Sequence, residues 1–251
     1  MKGIHAFKFE PNNSREAKRP VAISFHGGPG YLSNTNAQDF YSLILLSKGF
    51  VVITSNYRGS GGYGLTFEQS DNGYKRNEQA EDMKALVEWI KAQPDLEPER
   101  ILLIGVSWGG YMVNESLIRF PELFLGGICI SGNTDIAATA SNPFFPGWAK
   151  EEFGDTDNQE VKHFLDSISP YNNSSRITRP LYLIHGTDDP RVGVDQARKL
   201  FDALESEHKD VWYLEAQGQG HLIFPRSPLE SFYQLSSINQ FINKCLNESA
   251  E

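Results

Sequence analysis

Short apolar runs rich in β-branched residues recur along the chain, each followed by a longer segment of helical period. Val21–Phe25, Phe50–Thr54, Ile101–Gly105, Gly127–Ile130, Leu181–His185 and Val211–Leu214 are nearly continuous in apolar residues. Continuous rather than alternating apolarity predicts strands buried on both faces, as in a parallel sheet. Between them, Glu78–Lys91 puts Met83, Leu86, Val87 and Ile90 on one stripe and is stopped by Pro94, the pattern of an amphipathic helix. Gly109–Arg119, Asp195–Leu204 and Pro228–Leu246 are predicted helices by the same reasoning. Strands alternating with helices predict an α/β domain with a mostly parallel, twisted sheet covered on both faces.

The alternation lapses between Ser131 and Pro180, where "SNPFFPGWAKEEFGDTD" is rich in aromatics, Pro, Asn and Gly. Segments of this length are usually lids or binding elements. Residues 131–180 are expected to form a small cap on one edge of the sheet, within a single domain spanning 1–251.

The third run leads straight into Gly105-Val106-Ser107-Trp108-Gly109, a Gly-x-Ser-x-Gly pentapeptide lying between a predicted strand and a predicted helix. A nucleophilic serine must stand clear of the sheet on a sharp, strained turn, and glycines remove the side chains that would collide there. The helix that follows directs free N–H groups and a positive dipole end toward developing negative charge. A serine hydroxyl also needs a base, and the base needs an orienting acid. "GTDDPRVG" follows Leu181–His185 and offers Asp188 and Asp189. "EAQGQGHLI" follows Val211–Leu214 and offers His221 among glycines. The chain order Ser, Asp, His is the one this strand–turn–helix context requires.

Of the other histidines, His5 and His208 lie in polar segments, His163 on a cap helix, and His185 at a strand end suited to a structural hydrogen bond. Between Asp188 and Asp189, position alone favours Asp189 only slightly. The oxyanion needs two N–H donors: Trp108, after the nucleophile, and one from "SFHGGPG" (Ser24–Gly30), where Gly28 is the first choice and Gly27 the second. His26 in that loop is expected to brace it.

Net charge is −9, which disfavours nucleic acid and anionic membrane surfaces as partners. No stretch reaches the apolar length of a membrane span and the first twenty residues lack the apolar core of a secretory signal. Cys129 sits in an apolar run far in sequence from Cys245, so a buried thiol is expected rather than a disulfide or metal site. A cytoplasmic setting is the expectation.

With these residues in place, the chain resembles the α/β-hydrolase catalytic domain of the prolyl oligopeptidase family of serine peptidases, nearest its acylaminoacyl-peptidase-like branch. The matching segments are "HGGPG" (26–30), "NYRGSGGYG" (56–64), "EDMKALVEWI" (81–90), "GVSWGGYM" (105–112), "HGTDDPRV" (185–192) and "GQGHLI" (218–223). The resemblance places the acid three positions before Val192, at Asp189. It implies substrate-binding roles for Arg191, Val192, Trp148 and Phe153, and structural roles for Arg58 and Tyr63. Family members usually carry an N-terminal β-propeller; with about twenty residues before Val21, this sequence is read as an excised domain or a stand-alone enzyme.

The expected activity is that of a serine hydrolase working through an acyl-enzyme on short peptides or acyl-amino acids, with small carboxylic esters as the alternative. Ser107 is the expected nucleophile, His221 the base, Asp189 the orienting acid, and Gly28 and Trp108 the oxyanion donors. Neither metal nor organic cofactor is required. The expected partner is a small-molecule or short-peptide substrate, and a homo-oligomer is compatible with the sequence. Transfer to an acceptor other than water, and a purely binding role for the same fold, are the competing classes.

Overall fold

The computed structural model describes residues 3–12, 18–35, 40–144 and 146–248. It contains a seven-stranded sheet among the described residues, ordered β1-β3-β2-β4-β5-β6-β7. The strands are β1 His5–Phe9, β2 Arg19–Phe25, β3 Val51–Asn56, β4 Leu96–Val106, β5 Gly126–Ile130, β6 Leu181–Gly186 and β7 Val211–Ala216. β2 to β7 run parallel, while β1 pairs antiparallel with β3.

The helices are α1 Phe40–Ser47, α2 Leu65–Glu68, α3 Gln79–Lys91, α4 Trp108–Arg119, α5 Ile136–Ala140, α6 Pro146–Phe153, α7 Gln159–Ser167, α8 Val194–Ser206 and α9 Pro228–Glu248. Because successive strand residues face opposite sides, the core divides in two. Ile23, Ile53 and Leu103 pack with Met83 and Val87 of α3, Val113 and Leu117 of α4, and Leu200 of α8. Ala22, Val52 and Leu102 pack with Leu45 of α1 and Phe241 and Ile242 of α9 on the other face. This is the mostly parallel sheet covered on both faces expected from the alternation of runs, and it fits the α/β-hydrolase fold that the family resemblance implies.

Two expectations are corrected at the edges. The first strand is β1, not Val21–Phe25: His5–Phe9 adds to the sheet through β3. β7 was expected to be buried on both faces, but as the outer strand it is only partly buried along its length. Residues 131–180 hold α5, α6, α7 and a 3-10 turn at Pro170–Arg176. No helix of the described residues is long and apolar enough to cross a membrane.

Strand order decides where a site can lie. The chain leaves β2 for β3 on one side and returns to β4 on the other, so the loops after β2 and β4 diverge at a crevice beyond the strand ends. Phe25 and Gly105 are register partners. The loop beginning at His26 and the turn holding Ser107 are therefore neighbours by construction.

Candidate active site

Ser107 sits at the turn between β4 and α4 with φ 60° and ψ −121°, a conformation L-residues avoid and which costs on the order of 1–3 kcal/mol. Its surroundings leave no choice but glycine at the flanks. A Cβ on Gly105 would lie 2.2 Å from the Gly109 carbonyl oxygen, and one on Gly109 would lie 2.2 Å from that of Phe25. The Ser107 N–H donates to the Ile130 carbonyl at 2.8 Å, anchoring the turn to β5. Trp108 N–H opens α4, in the turn whose N–H groups have no intrahelical acceptor.

The loop after β2 presses against this turn: a Cβ on Gly27 would stand 3.2 Å from Ser107 Cβ. Gly28 adopts φ +123°, and a side chain there would collide with the Gly30 and Tyr31 nitrogens at 2.6 Å. His26 braces the loop. Its ring stacks on Tyr57 at 4.6 Å, Nδ1 donates to the Gly27 carbonyl at 2.7 Å, and Nε2 lies 2.8 Å from Ser60 Oγ, whose hydroxyl donates to the Tyr57 carbonyl. Burial depresses the imidazole to about 4, so the ring is neutral at neutral pH. Tyr57 Oη donates to the His26 carbonyl at 2.8 Å.

On the far side, His221 Nδ1 donates to Asp189 Oδ2 at 2.7 Å. Asp189 Oδ1 accepts the N–H groups of Arg191 and Val192 at 2.9 and 3.0 Å. His185 Nε2 lies 3.2 Å from Asp189 Oδ2 and 2.9 Å from the Val192 carbonyl, tying the loop to the end of β6. Burial alone would raise the Asp189 carboxyl. The hydrogen bonds from His185, His221 and Val192 outweigh it and hold the group well below the usual carboxylate range. Asp188, by contrast, is exposed and accepts only the neighbouring Thr187 hydroxyl among the described side chains. The two loops are joined at their bases. A Cβ on Gly186 would meet the Gln219 and Gly220 carbonyls at 2.3 and 2.4 Å, and Asp188 N–H donates to Gln219 O at 2.9 Å.

Ser107, Trp108, Gly28 and His221 all line one cleft of about 1280 Å³. Arg191, Val192 and Trp148 line it as well. Phe153 does not. It is 2% exposed, packed edge-on behind Trp148 at 5.5 Å and against Trp108 at 5.8 Å. Five residues along a helix is about 140° of rotation, so Trp148 and Phe153 occupy different faces of α6. Arg58 and Tyr63 are structural: the Arg58 guanidinium pairs with Asp82 at 2.8 and 3.0 Å, and Tyr63 Oη accepts from Asn56 Nδ2 at 3.0 Å.

The apolar wall next to the histidine is not among the substrate-binding residues that the sequence points to. Leu222, Ile223, Phe224 and Pro225 all line the cleft, and Leu222 and Phe224 are 56% and 66% exposed. An apolar run on a loop, where no strand or helix needs it, was the available signal.

A family model described as the prolyl oligopeptidase family matches residues 36–249. The chain is 29% identical over 237 residues to dipeptidyl peptidase family member 6 of Caenorhabditis elegans, covering 90% of this chain and 31% of that protein. It is 27% identical over 250 residues to dipeptidyl aminopeptidase BIII of Pseudoxanthomonas mexicana, covering 96% and 36%. In fold it superposes on the acylaminoacyl peptidase of Pyrococcus horikoshii with a TM-score of 0.84 at 24% identity, over 97% of this chain and 42% of that one. The chain thus spans about a third of the length of the two relatives.

Proposed function

The chain belongs to the prolyl oligopeptidase family, and from that premise we propose that it is a serine hydrolase cleaving peptide or acyl-amino-acid bonds of small substrates through an acyl-enzyme. The observation that carries this reading is the 2.7 Å hydrogen bond from His221 Nδ1 to Asp189, beside a cleft that also holds Ser107 on its strained turn. With Nδ1–H committed to Asp189, Nε2 is the basic nitrogen of the neutral ring. Ser107 Oγ attacks the substrate carbonyl as Nε2 takes its proton. The tetrahedral oxyanion is held by the N–H groups of Trp108 and Gly28, aided by the positive end of α4. The same imidazolium then protonates the leaving amine, and water repeats the sequence to release the acid.

The names of the relatives, dipeptidyl peptidase, dipeptidyl aminopeptidase and acylaminoacyl peptidase, favour amide substrates. Residues 131–180 serve as a small cap, since Asn133, Thr139, Trp148 and Glu152 of that segment line the cleft. Arg191 and Val192 complete the acyl-side wall. Small carboxylic esters are the second reading, favoured by the width of the cleft and the exposed Leu222 and Phe224 at its mouth.

A fluorophosphonate probe tests the mechanism: it labels the wild type and leaves Ser107→Ala unlabelled. Equal labelling of both defeats the assignment of Ser107. Paired amide and ester substrates with one acyl group separate the two readings, and amide turnover at background level would leave only the ester.

A further inference from the structure

Arg76 has no place in that chemistry, yet it is one of the largest fully buried side chains in the molecule. A buried guanidinium is costly unless its donors are met by well-placed acceptors. Here Nη1 donates to Asp71, itself 0% exposed, and Nη2 donates to Glu152 Oε2 at 2.5 Å and to the Glu152 carbonyl at 3.1 Å. The guanidinium carbon lies 4.8 Å from the centre of the Trp108 ring and 5.2 Å from that of Phe153. Gln79 holds the same indole by its edge, accepting Trp108 Nε1–H at 3.2 Å while its Nε2 donates to Asp71 at 2.7 Å. Asp71 stands over Gly59, where a Cβ would come within 2.5 Å of the carboxyl group. The Asp71 carboxyl therefore packs directly on the main chain at Gly59.

Resting on the reading of Trp108 N–H as an oxyanion donor, we propose that Arg76 is a positioning residue for this site, fixing the turn after Ser107 and the cap helix α6 relative to one another. Trp108 is fixed face-on by Arg76 and edge-on by Gln79. The main-chain N–H of that residue has to lie within a few tenths of an ångström of its place to stabilise an oxyanion. The second donation, to the main chain and side chain of Glu152, holds α6 down where Trp148 and Glu152 line the cleft. One planar fork thus sets both walls. Lysine, with a single ammonium on a flexible stem, cannot serve two carboxylates and an aromatic face together.

The variants are Arg76→Lys, the double variant Arg76→Met with Asp71→Asn, and Asp71→Asn alone. Burial lifts the Asp71 carboxyl to about 7, so at pH 6 the amide is a close stand-in that still offers the guanidinium a carbonyl acceptor. At pH 6, and well below each variant's melting temperature, Arg76→Lys and the double variant are expected to label with fluorophosphonate roughly 10–100-fold more slowly than wild type and to lose kcat on an amide by a similar factor, with KM changed less than about threefold. Asp71→Asn alone is expected to keep kcat within about threefold. A double variant that melts lower but labels at the wild-type rate reduces Arg76 to a packing residue and overturns the proposal. An unlabelled wild type overturns it together with the hydrolase reading, whereas a labelled wild type matched in rate by both Arg76 variants removes the positioning role alone.

Discussion

Asp189 and His221, 32 positions apart, are joined by a 2.7 Å hydrogen bond between Oδ2 and Nδ1. Neither residue is held there by its own loop alone. Asp189 is fixed by two N–H donors from Arg191 and Val192 and by His185. The His221 loop is held because Gly186 leaves room for the Gln219 and Gly220 carbonyls. The pair is thus held in place from both loops, and the Asp189 carboxyl remains ionised because its hydrogen bonds outweigh its burial.

Replacing that acid separates it from its neighbour. Asp189→Asn is expected to lower kcat by roughly 10³–10⁴, because an amide no longer fixes the imidazole in the tautomer that frees Nε2. Asp188→Asn, at an exposed position hydrogen-bonded only to the adjacent Thr187 among the described side chains, is expected to stay within about threefold of wild type. Steady-state kinetics on one amide substrate decides it. The reverse ranking moves the acid to Asp188.

Much of this was legible in the chain because the physical causes are local. The parallel strands announce themselves as apolar runs, since β2 to β6 are largely buried on both faces and even β7, only partly buried, keeps an apolar run. Ser107 and His221 stand out because their turns need glycines that nothing else would select. The acid was harder: Asp188 and Asp189 share a loop, and only three-dimensional packing buries one of them. β1 was missed because an edge strand buries little, and in His5–Phe9 only Phe7 and Phe9 are partly covered. Arg76 was invisible for the opposite reason. Its partners Asp71, Glu152 and Trp108 come from three separate segments, and a charged residue in a polar stretch reads as surface.

The glycines around the turn make a stability prediction. Gly109→Ala sets a methyl 2.2 Å from the Phe25 carbonyl oxygen, backbone that belongs to β2. A loss of about 3 kcal/mol or more is expected, since a central strand cannot retreat. Gly147→Ala in α6 meets nothing within 4 Å and has no positive φ. It is expected to be neutral or to stabilise by up to about 1 kcal/mol. Chemical denaturation of both variants provides the comparison, and equal midpoints would refute the steric account of the turn.

Acid sensitivity follows from His26 and Asp189. The folded imidazole of His26 is depressed by burial from 6.5 to about 4, so the unfolded chain binds the proton first. The stability it contributes is present above about 6.5 and is lost as pH falls toward about 4. Partial exposure of the ring limits that loss to about 2 kcal/mol or less. Asp189, depressed below its ordinary value, adds a further loss at lower pH with the same sign. His26→Asn retains a donor for the Gly27 carbonyl but does not titrate. Its melting temperature is expected to fall less than that of wild type between pH 7 and pH 4.5. Parallel curves would exclude His26 as the source.

The two aromatics of "GWAKEEFG" should part company under truncation. Trp148 lines the cleft and is half-buried, whereas Phe153 is 2% exposed and wedged between Trp108 and Trp148. Trp148→Ala removes apolar wall that substrate and transition state touch alike. KM for substrates with a bulky apolar acyl group should therefore rise roughly three- to tenfold with kcat nearly unchanged, the signature of uniform binding. Phe153→Ala instead opens a cavity beneath α6 and should cost about 3–5 kcal/mol of folding stability. Its effect on kcat appears only through the Trp108 ring it supports. Kinetics and denaturation of both variants, with small and bulky acyl groups, separate these outcomes. A Phe153→Ala enzyme of wild-type stability with a selective KM defect for bulky groups would return Phe153 to the substrate wall.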